Sequence, residues 1–337
     1  MRRRVIFGCD GRQLTDEERQ FFVDAQPWGF ILFGRNIVDK EQVRQLIASL
    51  RECVNDANAP VLIDQEGGTI ARLKPPLWKA RPSAARFGAL YGVSAETARE
   101  AAYLNARLMA YDLAELGISV DCAPVLDVPV EGADAVIGER AFANDPGVVI
   151  DLGRAVIQGM LDGGVLPVAK HTPGHGRATA DSHTALPHVT TPAEELSATD
   201  FVTFRSLNYC PMAMTAHIVF DSIDPQRPAT TSPKVVRDVI RGEIGFEGVL
   251  VSDDLSMSAL KGPLSVRARA ALFAGCDIVL HCNGQLNQMR EVAEEAKPLH
   301  DQWLKRCEAA LSHLAPPEPL DRGAAEARVD QLLGGGA

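Results

Sequence analysis

The sequence predicts an α/β fold, namely a (β/α)8 barrel formed by a single domain. Eight short runs of apolar, β-type residues alternate along the chain with longer stretches of helical periodicity. The runs are apolar at nearly every position, which is typical of parallel strands that helices cover on both faces. The length of 337 residues also suits a single barrel. A doubly wound open sheet is the alternative arrangement of the same elements.

Eight strands joined by crossover helices imply a closed barrel. In chain order the predicted strands are Val5–Cys9, Gly29–Phe33, Val61–Asp64, Ser119–Cys122, Val165–Lys170, Ala213–His217, Val249–Asp253 and Ile278–His281.

Helical signals fill the intervals between these strands. Thr15 and Glu18 have the spacing of a capping box, and Asp145 before Pro146 is typical of an N-cap with proline at the first helical position. The predicted helices span residues 15–24, 40–55, 97–116, 146 to about 160, 233–241, 265–274 and 285–296.

The chain shows no sign of a domain boundary. No segment rich in proline, glycine or serine divides it, and no internal repeat is evident. We therefore expect one catalytic domain over residues 1–337, of which residues 315–337 form a peripheral C-terminal tail. A helix with a frayed end is expected in this tail.

Composition and charge exclude several classes of protein. The formal net charge is −10 and there is no long basic run, so nucleic acid is not an expected partner. No segment approaches the roughly 18 apolar residues of a membrane span, and the apolar stretch near the N-terminus stops at Gly8. We therefore expect a cytoplasmic monomer with no membrane partner. Seven scattered cysteines without a C-x-x-C motif indicate neither a disulfide framework nor a zinc ribbon.

Ionisable residues end five of the eight predicted strands. In a (β/α)8 barrel the chemistry takes place at the carboxyl ends of the strands. For any single residue, a helix cap or a loop polar group is an equally good interpretation. The set as a whole is better explained by a polar pocket at the barrel mouth. Its members are Asp64, Lys170, His171, His217, Asp253, Asp254 and His281.

The segment from Lys170 to His183 holds three of the eight histidines in a glycine-rich context. Imidazole titrates near neutral pH and is therefore suited to proton transfer. His171 and His175 have the spacing of two metal ligands on a helix. Pro173 lies between them, however, so a loop is expected and a metal site is disfavoured.

Asp181 and His183 form a better chemical unit. In an extended loop, residues i and i+2 point to the same side, so the carboxylate can hold one imidazole nitrogen and raise its basicity. Such a pair can serve as a general acid and base. A local Asx-type turn is an equally good interpretation of this spacing.

Two strand-end carboxylates suit sugar chemistry. Asp64, together with Arg72, can bind sugar hydroxyls, which both donate and accept hydrogen bonds; a surface ion pair is the alternative. Asp253, at the end of a rigid strand, is well placed to be a nucleophile. Its neighbour Asp254 should point the other way and brace the following turn.

Together these segments resemble the family 3 glycoside hydrolases, specifically the single-domain bacterial β-N-acetylglucosaminidases (β-hexosaminidases) of peptidoglycan recycling. The similarity covers nearly the whole chain, and the order of the motifs makes it specific. The motifs are Ile31–Asn36, Asp64–Gly68, Ala123–Val128, Ile137–Phe142, Lys170–His183, Met214–His217, Ser252–Met257 and Ala274–Asp277.

The resemblance implies a TIM-type barrel and a retaining glycosidase that needs no metal or organic cofactor. Asp253 would be the catalytic nucleophile, and His183, paired with Asp181, would be the acid/base on a mobile loop. The substrate would be a muropeptide sugar, N-acetylglucosaminyl-1,6-anhydro-N-acetylmuramic acid, with or without its stem peptide. Its N-acetylglucosamine would be bound by Asp64, Arg72, Arg140, Lys170 and His171.

The chain departs from the family pattern at two positions. Thr69 stands where the family usually has arginine, and Thr172 stands where it usually has phenylalanine. Neither is a catalytic position, so the differences bear on the shape and charge of the sugar pocket and not on the reaction.

Four other functions are compatible with a barrel of this kind. A metal-dependent hydrolase would use His171, His175, His183 and a carboxylate. A substrate-assisted hexosaminidase would use the substrate acetamide as nucleophile. A sugar-binding protein would turn nothing over, and a phosphorylase would replace water with phosphate.

Overall fold

The predicted barrel is confirmed. The structure, a computed structural model, describes residues 1–182 and 184–334. Within these residues the strands are β1 (Arg3–Gly8), β2 (Pro27–Leu32), β3 (Val61–Ile63), β4 (Val120–Asp121), β5 (Leu166–Thr172), β6 (His188–Val189), β7 (Met212–Thr215), β8 (Val219–Phe220), β9 (Val249–Asp254) and β10 (Ile278–His281). All strands but β6 and β8 form one closed barrel, in the order β1-β10-β9-β7-β5-β4-β3-β2. The barrel pairs are all parallel, so the open doubly wound sheet is wrong.

The adjacent strands β4 and β5 differ from their predicted bounds at both ends. The regular pairing of β4 stops at Asp121, shortly before Pro124, which has no N–H to donate. The chain nevertheless stays attached to β5, because the Lys170 N–H donates to the Pro124 carbonyl and the Leu126 N–H donates to the Lys170 carbonyl. This irregular pairing extends β5 to Thr172 and places Lys170 at the barrel mouth.

Two apolar layers hold the barrel. The interior is filled by side chains from the barrel strands, among them Ile6, Leu62, Val168, Met212 and Val251. A larger cluster lies between the outer faces of the strands and the surrounding helices. Each barrel strand is therefore buried on both faces, which explains why the strand sequences are apolar at consecutive positions.

The helices are α1 (Asp16–Ala25), α2 (Lys40–Cys53), α3 (Ala84–Tyr91), α4 (Ala95–Ala114), α5 (Pro146–Asp162), α6 (Ala193–Thr199), α7 (Phe201–Ser206), α8 (Leu264–Ala274), α9 (Leu286–Glu295), α10 (Asp301–Leu311) and α11 (Arg322–Leu332). A π-helix spans Val235–Glu243. The capping box of Thr15 and Glu18 and the N-cap of Asp145 are both present. α4 begins two residues before its predicted start, because Ser94 accepts a hydrogen bond from the Thr97 N–H and caps it.

Sequence patterns missed α3, α6, α7 and α10. α3, α6 and α7 are only six to eight residues long, so they hold little periodicity and depend on tertiary packing. In the C-terminal tail, α11 packs Ala325 and Val329 against Leu108 of α4.

The structure bears on two further expectations, one about membrane-spanning helices and one about the cysteines. No helix in residues 1–182 and 184–334 is both long and apolar enough to cross a membrane. All seven cysteines are unpaired and six of them are buried. Burial raises the pKa of Cys210 and Cys276 to about 12, so these thiols pack as small apolar groups.

Candidate active site

A polar pocket of about 140 Å³ opens at the carboxyl ends of the barrel strands. Three cations, four carboxylates and an imidazole share its wall with apolar side chains, as in pockets for polar organic ligands. It brings together Asp253 and the five residues predicted to bind sugar. The lining residues are Ile31, Phe33, Asp64, Glu66, Ile70, Arg72, Arg140, Lys170, His171, Met214, Asp253, Asp254, Met257, Leu280 and Cys282.

Asp64 follows β3 and pairs with two cations. Its Oδ1 accepts a hydrogen bond from Lys170 Nζ at 2.9 Å, and its Oδ2 accepts one from Arg72 Nη2 at 3.0 Å. Burial disfavours the ionised carboxyl, but the two cations outweigh burial and hold the pKa of Asp64 well below its usual range. The ion pair of Asp64 and Arg72 thus belongs to the pocket and is not an isolated surface pair.

Glu66 is a pocket residue that sequence reasoning did not assign. Arg140 holds its carboxylate with two hydrogen bonds of 2.8 and 2.9 Å, and Lys170 Nζ lies 2.7 Å from Oε1. Burial opposes ionisation, yet Lys170 and Arg140 lower the pKa of Glu66. The sequence did hold a signal for this role. Glu66 lies two residues after Asp64, and residues i and i+2 point to the same side of an extended backbone.

Lys170 connects the two carboxylates. Its side chain is 2% exposed and its ammonium contacts both Asp64 and Glu66. Burial favours the neutral amine, but the two carboxylates outweigh burial and raise the pKa of Lys170. Lys170 therefore stays charged, and Asp64, Glu66, Arg72, Arg140 and Lys170 form one network, which we call the ion-pair cluster.

The turn after Glu66 explains the glycines of this motif. Gly67 has φ +94°, and a Cβ there would lie 2.2 Å from the Pro82 carbonyl oxygen. Glycine is required because any side chain would meet the backbone of Pro82. The turn brings the chain back so that the Arg72 and Leu73 N–H groups donate to Oε1 of Gln65.

Asp127 organises the histidine side of the pocket. Its buried carboxylate lies 2.8 Å from Nδ1 of His171 and accepts the His175 N–H at 2.7 Å. Burial raises the pKa of Asp127, but contacts with the two histidines outweigh burial and lower it. The Nδ1 contact leaves Nε2 of His171 directed toward Arg140, at 3.5 Å from Nη2. The sequence placed Asp127 in a motif but gave it no role.

The two aspartates at the end of β9 have different surroundings. The Asp254 N–H donates to Oδ1 of Asp253 at 2.7 Å. Asp254 itself accepts hydrogen bonds from the N–H groups of Ser256 and Cys282, both at 3.1 Å, and from the Ser256 hydroxyl. As expected, Asp254 braces the turn. The expectation that it points away from the pocket is wrong, because Asp254 lines the pocket beside Asp253.

Asp253 is held in the ionised form. Burial raises its pKa, but His217, His171, the Asp254 N–H and Lys170 outweigh burial and lower it. Burial also lowers the pKa of His217. The Asp254 N–H and the ammonium of Lys170 favour the carboxylate at neutral pH whatever the charge of His217.

His217 and His281 do not line the pocket, contrary to the expectation for these strand ends. Nε2 of His217 donates to the Asp254 carbonyl at 3.0 Å, so this buried ring supports the end of β9 from behind. His281 is fully buried and packs edge-to-face on Phe7. His281 faces the space between the barrel and its helices, where Phe7 lies, because side chains alternate between the two sides of a strand.

The predicted acid/base pair is only partly described. His183 lies outside the described residues. Asp181 is half-buried and immediately precedes Ser182, which is buried at the barrel rim.

The two departures from the family pattern lie in different surroundings. Thr69 is exposed, and its N–H donates to Oε1 of Glu139 at 2.9 Å. Thr172 is buried at the end of β5, and its carbonyl accepts the Ala216 N–H. Neither side chain is part of the pocket lining.

Metal ligation needs at least three convergent donors. In the described ranges, which omit His183, no three His, Cys, Asp or Glu side chains are grouped in that way. His171 and His175 are neighbours, with ring centroids 5.5 Å apart, but each is engaged by other protein groups.

Comparison with known proteins gives matches over most of the chain. The glycosyl hydrolase family 3 N terminal domain matches residues 5–313. A β-hexosaminidase of Alkalilimnicola ehrlichii is 36% identical over 349 aligned residues, which cover 96% of this chain and 98% of that protein. A β-hexosaminidase of Thioalkalivibrio sulfidiphilus is 41% identical over 287 residues, which cover 83% and 80% of the two chains.

Solved structures agree with these matches. NagZ from Neisseria gonorrhoeae, in complex with N-trifluoroacetyl-D-glucosamine, superposes with a TM-score of 0.89 at 32% identity and covers 98% of both chains. A family 3 β-N-acetylglucosaminidase from a Paenibacillus species gives a TM-score of 0.87 at 28% identity. The chain covers 66% of the length of that larger protein.

A (β/α)8 barrel with an ionised carboxylate at one strand end and a cluster of paired charges across the same pocket is compatible with a glycoside hydrolase. The matches extend over nearly the whole chain and include the strands that carry this pocket. The chain belongs to glycosyl hydrolase family 3.

Proposed function

We propose that this glycoside hydrolase is a retaining enzyme that removes the non-reducing terminal, β-1,4-linked N-acetylglucosamine from N-acetylglucosaminyl-1,6-anhydro-N-acetylmuramic acid, with or without its stem peptide. It would act in peptidoglycan recycling, in the cytoplasm. The chain is a β-N-acetylhexosaminidase, since it belongs to glycosyl hydrolase family 3 and a β-hexosaminidase of Alkalilimnicola ehrlichii matches it over 96% of its length.

One observation supports the proposal above all others. Asp253 and the ion-pair cluster line one pocket, so a sugar bound by the cluster would have its anomeric carbon within reach of a rigidly mounted carboxylate. Asp253 has a lowered pKa and is ionised at neutral pH, as a nucleophile must be.

The ion-pair cluster supplies the groups that sugar recognition needs. Asp64 and Glu66 accept hydrogen bonds from hydroxyls, while Arg72, Arg140 and Lys170 donate to them. Because these charges already pair with one another, binding need not reorganise them, and their geometry is set before the sugar arrives.

In the proposed reaction Asp253 attacks the anomeric carbon while protonated His183 donates its proton to the leaving oxygen. The glycosidic bond breaks and a covalent glycosyl-enzyme forms with inversion. His183, now neutral, takes a proton from water, which attacks the same carbon and releases the sugar with overall retention. Asp181 stabilises the imidazolium. An imidazole thus replaces the second carboxylate of the usual retaining pair.

The test is hydrolysis of 4-nitrophenyl N-acetyl-β-glucosaminide and of the anhydro disaccharide, with Asp253→Ala as the inactive comparison. A fluorosugar that traps the glycosyl-enzyme should label Asp253, which a substrate-assisted mechanism could not produce. Labelling of another residue would overturn the nucleophile assignment. Full activity in a chelator and without phosphate is expected; loss in either case would favour the metal-dependent or phosphorolytic alternative.

A further inference from the structure

Ser182, the residue between Asp181 and His183, is buried at the barrel rim. It is 2% exposed. Its carbonyl accepts the Ala259 N–H at 3.2 Å, and its Oγ lies 3.2 Å from Nε2 of His175. A serine in a solvated loop needs no protein partner, since water satisfies its hydroxyl. Ser182 is therefore a point at which this polar loop is attached to the rest of the protein.

The Ala259 contact joins the loop to the strand of the proposed nucleophile. Ala259 lies in the segment directly after β9, the strand that ends with Asp253 and Asp254. The Met257 N–H donates to the Asp254 carbonyl at 3.1 Å, and this bond fixes the turn that leads to Ala259. The backbone of Ser182 is thus hydrogen-bonded to the segment that continues from the strand end carrying Asp253.

His175 is itself fixed on three sides. Its N–H donates to Oδ1 of Asp127 at 2.7 Å, and its ring contacts His171 edge-on. The next residue, Gly176, passes so close to Val128 that a Cβ would lie 2.0 Å from the Val128 carbonyl oxygen. His175 can therefore hold Ser182 in a defined place, because its own backbone and ring have little freedom.

The electrostatics of His175 favour a hydrogen-bonding role over proton transfer. Burial, followed by the neighbouring His171, lowers the pKa of His175 to about 4. A general acid/base is most effective with a pKa near the working pH. At neutral pH the ring is uncharged, and its Nε2 can either donate to or accept from the serine hydroxyl.

We propose that His175 and Ser182 are positioning residues: their contact holds Ser182 against the segment that follows β9, and the proton transfer assigned to His183, the next residue in the chain, depends on that attachment. This inference rests on the proposed function, because it gives Asp181 and His183 their catalytic roles. Neither positioning residue touches the substrate. Their effect is on the proton transfer that His183 performs.

Proton donation matters most when the leaving group is poor. We therefore compare kcat/KM for the anhydro disaccharide, a poor leaving group, with that for 2,4-dinitrophenyl N-acetyl-β-glucosaminide, whose leaving group needs little protonation. Ser182→Ala and His175→Ala should each lower the disaccharide value about 10-fold and the aryl value less than about threefold. His175→Gln, which keeps a nitrogen near the Nε2 position, should recover most of the loss. Ser222→Ala, which removes an exposed serine hydroxyl bonded to the Thr191 carbonyl outside the loop, controls for the loss of a serine hydrogen bond as such.

The double variant Ser182→Ala/His175→Ala tests whether the two residues act through one contact. It should be no worse than the more damaged single variant, because the second substitution removes nothing further. Multiplicative losses, or equal losses on the two substrates, would overturn the proposal, since a merely structural hydrogen bond would lower both activities alike.

Amide hydrogen exchange at Ala259 tests the contact without any activity. Exchange of this N–H should speed up at least about 10-fold in Ser182→Ala and His175→Ala and stay at the wild-type rate in Ser222→Ala. Unchanged exchange in both variants would overturn the proposal whatever the kinetics. If the wild-type enzyme hydrolysed neither substrate, the proposed function would fail, while the exchange result would still report on the contact. Ser182→Ala removes a single oxygen, so it decides the outcome if His175→Ala does not fold.

Discussion

The two sides of the pocket are built in different ways. On the β3 and β5 side, Asp64, Glu66, Arg72, Arg140 and Lys170 are tied together by ion pairs of 2.7 to 3.0 Å. On the β9 side, the carboxylate of Asp253 accepts one hydrogen bond from within the described part of the chain, the Asp254 N–H. A preformed cluster suits recognition, whereas a nucleophile must keep its oxygens available for the anomeric carbon.

The fold thus depends more on the ion-pair cluster than on the nucleophile at the opposite side of the pocket. The ion-pair cluster is partly buried, so removing one member leaves charges unpaired in a poorly solvated place. Asp253 makes few contacts that the fold depends on. Substitutions in the ion-pair cluster should therefore lower both stability and activity, whereas substitution of Asp253 should lower activity alone.

Asp253→Asn should give the largest effect on activity. The amide cannot form the glycosyl-enzyme, so kcat should fall about 10⁴-fold or more. The free energy of unfolding should stay within about 1 kcal/mol of wild type, because little of the fold depends on this side chain. Steady-state kinetics and urea denaturation measure the two quantities. If Asp253→Asn were strongly destabilised but still active, the proposed difference between the two sides of the pocket would be wrong.

Lys170→Met should damage both activity and stability. The substitution leaves Asp64 and Glu66 facing each other without their shared cation, which should lower the free energy of unfolding by about 3 kcal/mol or more and kcat/KM about 100-fold. Adding Glu66→Gln should return part of the stability, because one unpaired charge is removed. Chemical denaturation of the single and double variants measures this recovery, and its absence would show that the two residues are not coupled.

His175 should make the stability of the protein depend on pH. Its pKa is about 4 in the folded protein, against about 6.5 for an ordinary histidine. Between these values the unfolded chain binds a proton that the folded protein does not, so the free energy of unfolding should fall as the pH is lowered from 6.5 to 4, by up to about 3 kcal/mol. His175→Gln should show a shallower pH dependence over that window. The free energy of unfolding is measured by urea denaturation from pH 7.5 to 4.5. The same pH dependence in wild type and His175→Gln would contradict a buried neutral ring.

Thr69→Arg should have the smallest effect. Thr69 is exposed and contacts Glu139 through its backbone, which the substitution leaves in place. Replacing it with the usual family residue should change KM by less than about threefold and leave kcat unaltered. A larger fall in KM would mean that position 69 reaches the sugar, and would extend the recognition side of the pocket beyond its present lining.

Much of the barrel was predictable because strand burial leaves a local trace. Apolar runs such as Val249–Asp253 and Ile278–His281 could be recognised without knowledge of their partners. The Thr15–Glu18 capping box and the Asp145 cap were equally local. Short helices such as α6 and α7 were missed because their stability comes from packing and not from periodicity.

The site was predictable only in part, for the same reason. Asp64, Lys170 and Asp253 stood out because they end strands, but so did His281, which proved to face the core. The strands are apolar on both faces, so the local pattern does not show which side of the strand its last residue occupies. Glu66 and Asp127 were overlooked because their partners, Arg140 and His171, lie 74 and 44 residues away.

By itself the sequence determined the order of strands and helices and placed the ionisable residues at strand ends, since both follow from hydrophobic patterning and local capping. The closure of the barrel decided the rest. It brought residues from β3, β5 and β9 to one mouth, where burial and mutual ion pairing set which carboxylates are ionised. Those charge states depend on distances between remote segments, and no local pattern encodes such distances.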